Sequence, residues 1–133
     1  MRLHHNVTGD ARVLVKTRLS EYLDNPRVLL LDSNLAGWLL VLFGLNLSAE
    51  NYACYASALT KVSPLLKYIW KNGVRYLDID DEFNILYPSP EECDHSLIIV
   101  QHWNGKIVDT TIFPLVGSDV IIEDCSMALG GKY

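Results

Sequence analysis

The chain has 133 residues, half of them apolar, with 11 basic and 16 acidic side chains and a net charge of −5. That length suits one domain spanning 1–133 with its own core, and the apolar half excludes a disordered chain. The acidic balance argues against nucleic acid and against an anionic membrane surface as partners, since both need basic patches.

Cys54, Cys93 and Cys125 form no CxxC pair, so a zinc ribbon or a disulfide framework is not expected. The N-terminal stretch has no apolar core of a secretory signal, and Asn6-Val7-Thr8, though a glycosylation sequon, carries no weight without one. The longest apolar run, 35–47, is too short to span a bilayer. A cytoplasmic protein is expected, export by a non-classical route aside; the oligomeric state stays open.

Along the chain, the first half reads as helical. Asp10 can cap a helix to about residue 23, with Ala11, Val15, Leu19 and Tyr22 on one stripe. Residues 28–31 are apolar, helix or strand undecided. Ser33 can cap a second helix through Trp38 and Phe43, apolar on every side and therefore expected to be central. A third helix is expected from Ser48 or Asn51 through Cys54 to Leu59. Ser63-Pro64 restarts a helix that ends at Asn72-Gly73.

Strand-like periodicity follows. Short strands are expected at 74–79 and 84–87. A hairpin of 96–103 and 106–113 is expected around Asn104-Gly105, with 120–122 as an added edge strand. The tail, 130–133, is expected to fray. Helices first and antiparallel strands afterwards give an α+β fold: N-terminal helices packed on a C-terminal antiparallel sheet.

Within this frame one set of residues has the composition of a thiol hydrolase. Such an enzyme needs a cysteine near a helix N-terminus, where free N–H groups favour the thiolate, a histidine as base and acid, and a polar group that fixes the imidazole tautomer. Cys54 on its helix, His95 at the start of the first hairpin strand and Asp109 on the return strand occur in that order. His102 is the rival partner of Asp109: a strict two-residue loop puts those two on one face, whereas one bulge restores His95.

The run from Asn51 through Cys54 to Gly73, then His95 to Asp109, resembles the papain-like group of folds, most closely its transglutaminase-like branch. The resemblance covers about residues 51–113. It implies a papain-like core and a Cys54–His95–Asp109 triad acting on an amide or acyl carbon of a protein or peptide: a peptidase, amidase or glutamine deamidase. Oxyanion stabilisation would come from the Cys54 backbone N–H, with Asn46, Ser48 or, first among them, Asn51 as a side-chain donor. No cofactor is implied.

The plainer readings stand beside this one. A lone cysteine is more often core packing, and acidic neighbours disfavour a thiolate at Cys93 and Cys125. His4-His5 lacks further ligands, so no metal site is expected. The stretch 78–94 holds seven acids and no lysine or arginine. It lacks the spacing of a calcium loop and reads as a solvated face. Through Asp78, Asp80, Asp81 and Glu82 it offers a surface for a basic protein. The alternative function is therefore a non-catalytic acidic binder, such as an immunity-like inhibitor of a basic toxin.

Overall fold

The computed structural model describes residues 9–57, 60, 62–71, 73–82, 84–86, 95–103, 105–112, 117 and 119–128. His4, His5, the Asn6 sequon, Cys93, Asn104 and the 130–133 tail lie outside the described residues. By internal contacts the chain divides into two units, Met1–Gly37 and Trp38–Tyr133.

The first unit holds helix α1 (Gly9–Tyr22) and the start of helix α2 (Asn34–Gly44). The expected cap of α2 is present: the Ser33 hydroxyl accepts the Ala36 N–H at 3.1 Å. The expected stripe of α1 is not a buried one, because Val15 and Tyr22 face solvent. Nor is α2 buried all round. Trp38 and Leu42, one turn apart, are buried in the core and Val41 packs partly against it, while Leu35, Leu40 and Phe43 are exposed.

The second unit is built on a sheet of β1 (Ala53–Ser57), β2 (Val74–Leu77), β3 (Ser96–Gln101) and β4 (Val120–Asp124). Helix α3 (Ser63–Trp70) joins β1 to β2. Its proline lies in the first turn, where no N–H is missed, and Lys71 closes it in the left-handed conformation. The strand order is β2-β1-β3-β4, and all three pairings are parallel.

Helices and strands are both present, as expected, but the sheet is parallel and not antiparallel. Among the described residues the only antiparallel pairing is an isolated bridge between Ile79 and Ile85. Among the described residues, 96–103 and 106–112 do not pair as a hairpin. Gly105 does turn the chain, with φ of +78°, but the return segment leaves the sheet and ends in a short 3-10 helix, η1 (Thr110–Ile112). The expected helix through Cys54 is strand β1, preceded by a turn in which Asn51 and Tyr52 N–H groups both meet the Ser48 carbonyl.

The Cys54 segment reads as helix for a physical reason. A central strand of a parallel sheet is buried on both faces and loses the alternation that marks a half-exposed strand. All six residues of β3 and four of the five in β1 are buried.

One face of the sheet carries Cys54, Ala56, Val74, Leu97 and Ile99 against Trp38, Leu42, Leu47, Val62, Leu66 and Trp70. Leu42, Leu66, Leu97 and Ile99 are fully buried, and each such side chain contributes about 1.5–3 kcal/mol. The opposite face carries Ile98 and Val100, with Ile121 and Val108 packed on them. Thus the β1-to-β2 connection, α3, lies on one face, and Val108 of the β3-to-β4 connection lies on the other. Right-handed crossovers that leave the middle of a parallel sheet in opposite directions must do this. The reversal makes the gap between β1 and β3 a topological switch point.

Candidate functional site at the carboxyl edge of the sheet

In a parallel sheet every strand delivers its carboxyl end to the same edge. Sheets of this kind bind ligands at that edge, where diverging connections leave a crevice at the switch point.

The distribution of buried polar groups follows that rule. Among the described residues six buried side chains are polar or charged: Ser57, Thr60, Ser96, Gln101, His102 and Asp124. Five of them lie at or just beyond the carboxyl ends of β1, β3 and β4, and only Ser96 lies at the amino edge. In β3 and β4 an apolar run gives way to polar residues at the carboxyl end: Ile98-Ile99-Val100 leads into Gln101-His102, and Val120-Ile121-Ile122 into Glu123-Asp124.

Strand alternation sorts these groups onto two faces. Gln101 and Asp124 are paired in register on neighbouring strands, on the face shared with Leu97 and Ile99. Asp124 is 7% exposed. One carboxylate oxygen accepts the Ser126 N–H at 3.0 Å, and no basic side chain among the described residues pairs with it. Gln101 is 2% exposed, and neither its side-chain oxygen nor its nitrogen has a hydrogen-bond partner. The buried Thr60 hydroxyl also lacks one.

His102, Glu123 and Cys125 lie on the other face. The His102 ring is fully buried and bonded at both nitrogens: Nδ1 accepts the Val108 N–H at 3.0 Å, and Nε2 lies 2.9 Å from the Glu123 carboxylate. Because Nδ1 must accept, the neutral ring carries its proton on Nε2 and donates it to Glu123. The Glu123 carboxylate also receives the Thr110 hydroxyl at 3.4 Å.

Ligand atoms of His102, Glu123 and Cys125 lie within 4.8 Å of one another, which raises the question of a metal. The tautomer argues against one. A histidine that ligates through one nitrogen normally donates the other N–H to an acceptor, and here that other nitrogen faces a donor.

The sequence-predicted triad is not assembled. Cys54 is 0% exposed in the interior of the sheet, with Val74 and Leu97 as backbone neighbours. Burial pushes its thiol up to about 12, so it presents no thiolate at neutral pH. The helix that was to activate it is absent. His95 is exposed and precedes β3 at the amino edge, with φ of +55°. Asp109 lies beyond the carboxyl end of β3. Six residues of strand put those ends about 20 Å apart.

Asp109 has a local role instead. Its carboxylate accepts the Thr111 N–H at 2.9 Å and the Thr111 hydroxyl at 2.6 Å, which cap η1 and hold its carboxyl below the usual range. The rival pairing of His102 with Asp109 is replaced by His102 with Glu123. Asn51, the expected oxyanion donor, gives its side-chain amide to the Asn46 carbonyl at 3.3 Å.

His95 and Asn51 do line a shallow hollow of about 440 Å³ at the amino edge, together with Glu50, Tyr52, Trp70 and Arg75. Its polar groups are used locally: the Trp70 indole donates to the Tyr52 carbonyl at 2.8 Å, and Arg75 donates to the Tyr55 hydroxyl. Of the acidic stretch, Asp80 is committed to its own turn. It accepts the N–H groups of Glu82 and Asn84 and the Asn84 side-chain amide, at 2.8–2.9 Å.

No helix among the described residues is long and apolar enough to cross a membrane. Compared with models of protein families, with curated proteins and with solved structures, the chain matches none.

Proposed function

We propose that the second unit is a ligand-binding α/β domain, taking a small organic cation at the carboxyl edge of its parallel sheet, with the Asp124 carboxylate as counter-ion. The observation that carries this reading is the concentration of buried polar groups at that one edge, next to the switch point between β1 and β3. A carboxylate withdrawn from water needs charge-assisted donors, and one backbone N–H is fewer than its oxygens can accept. A protonated ring nitrogen or an amine supplies both the charge and the N–H.

The chemistry is that of binding and orientation. Asp124 holds the nitrogen in its charged form by stabilising the cation over the neutral base. Leu97, Ile99 and Ile122, on the same face of the sheet, belong to the packed core that fixes the two strand ends. The thiol-hydrolase reading has less support, because its nucleophile is sealed in the core and its base and orienting acid sit at opposite edges of the sheet.

The test is titration of the full chain with 4-aminopyridine, whose ring nitrogen is protonated at pH 6, followed by protein-observed NMR. Shifts are expected at the carboxyl ends of β1, β3 and β4, with at least tenfold weaker binding in Asp124→Asn. Shifts confined to the amino edge, or equal binding by the variant, would refute it.

A further inference from the structure

We infer that Gln101 is a specificity-determining residue of this edge, its side-chain amide reading a neutral hydrogen-bonding group adjacent to the ligand's charged nitrogen. The inference rests on the reading of Asp124 just given and adds a second contact to it.

The Gln101 side chain has an unmet hydrogen-bonding demand. A primary amide offers two N–H donors and a carbonyl acceptor. Removed from water, such a group is normally satisfied by protein or by ordered water. Gln101 is 2% exposed, yet its nitrogen and its oxygen both lack partners. The nearest carboxylate in the sheet register, Asp124, is directly opposite, but the two side chains make no bond with each other. A protein that needed only bulk here would place leucine or methionine at no polar cost. Position 101 continues the apolar row of Leu97 and Ile99, so the amide interrupts that row at the point where the row meets the edge.

Asp124 can only accept, whereas Gln101 both donates and accepts. Side by side they match a ligand that carries a cationic N–H and, on the same planar group, a substituent with both a donor and an acceptor, such as a carboxamide or hydroxyl. A second cation is disfavoured, because the Gln101 N–H groups would point positive hydrogens at it. A second carboxylate is disfavoured by Asp124. Sites that hydrogen-bond a substituent reject analogues lacking it far more strongly than sites that merely enclose it. Gln101 therefore decides between ligands that Asp124 alone accepts equally.

The experiment compares two probes on the full-length chain at pH 6: 4-aminopyridine, and 4-aminonicotinamide, which adds a carboxamide. The wild type is expected to bind the carboxamide probe about five- to tenfold more tightly, the value of one to two well-made hydrogen bonds. Gln101→Leu should bring that ratio to one, and Gln101→Met, closer in shape, should do the same if the leucine variant folds poorly.

The ligand-free variants supply a second readout that a structural role would not give. Removing an unsatisfied buried amide should raise the melting temperature by about 3 °C or more, whereas a glutamine that holds the fold together would lower it. A ratio that survives in both variants overturns the inference and leaves the amide to a buried water, as does a fall in melting temperature in both. If Asp124→Asn weakens both probes while the Gln101 variants keep the ratio, the inference alone fails. If Asp124→Asn leaves both probes unaffected, or neither probe binds, the cation reading fails and takes this one with it.

Discussion

The sharpest consequence of the fold concerns the thiol that the sequence offers as a nucleophile. Cys54 is 0% exposed, and burial raises its pKa from 9.0 to about 12. At pH 7.5 that rise lowers the thiolate fraction by about 10³-fold relative to an ordinary cysteine, and alkylation proceeds through the thiolate. The sulfur is also out of reach of reagent until the sheet opens. The expected order for iodoacetamide on the native chain, followed by peptide mass mapping, is therefore Cys125 first and Cys54 only on unfolding. Cys125 is exposed, although burial of its sulfur and the charges of Glu123 and Asp124 raise it as well.

The same group gives a pH signature. Its folded pKa lies above its unfolded one, so its contribution is intact below pH 9 and is lost progressively as pH rises toward 12. The full loss corresponds to about 4 kcal/mol. Cys54→Ala should flatten that part of the alkaline unfolding curve measured by urea denaturation. Labelling of Cys54 in the folded chain as fast as Cys125 at neutral pH would refute the reasoning and restore the thiol as a candidate nucleophile.

Four other outcomes are expected. His102→Leu removes the acceptor of the Val108 N–H and should cost about 1–3 kcal/mol by urea denaturation, most of it for the stranded backbone donor. Equimolar Zn²⁺ should leave the melting temperature unchanged, because the His102 tautomer opposes ligation; a Zn²⁺-dependent rise lost in His102→Leu would contradict that. Gly105→Ala meets no obstructing atom within 4 Å but must adopt φ near +78°, so a loss of about 1–2 kcal/mol is expected from backbone strain alone. Asp80 is held below the usual carboxylate range chiefly by the Asn84 side-chain amide. Its NMR titration should move upward in Asn84→Ala. Since its folded pKa is the lower one, whatever stability it gives is lost as pH falls through that value.

Local signals in the sequence are legible where one residue type determines one backbone geometry. Ser33 caps α2, Pro64 opens α3, and strands begin at Val74, Ser96 and Val120 as their apolar runs indicate. Strand pairing is not legible in the same way. Asn104-Gly105 states that the chain turns, not that the two flanking runs meet. Residues 106–109 instead left the sheet, and Val108 packs on the face of Ile98 and Val100. The segment at Cys54 has the short mixed apolar run that helix and buried strand share.

The carboxyl-edge residues were missed for a related reason. Gln101 and Asp124 acquire meaning only once β3 and β4 are parallel and in register, which no spacing in the sequence expresses. The visible trace was that two apolar runs each end in a polar pair, and that signal becomes specific only when the strands are known to point the same way.

The strand order also sets a sequence of assembly. β1 meets β2 across residues 58–73, with α3 available to form on its own timescale, but it meets β3 only by closing residues 58–95. The longer closure costs under ~1 kcal/mol more in chain entropy, yet it must be met before any β1–β3 contact rewards it. The β1–α3–β2 unit is thus poised to act as the nucleus, and the polar edge cannot exist until the second half docks. Substitutions at Leu66 or Val74 should slow refolding, whereas those at Ile121 should mainly hasten unfolding.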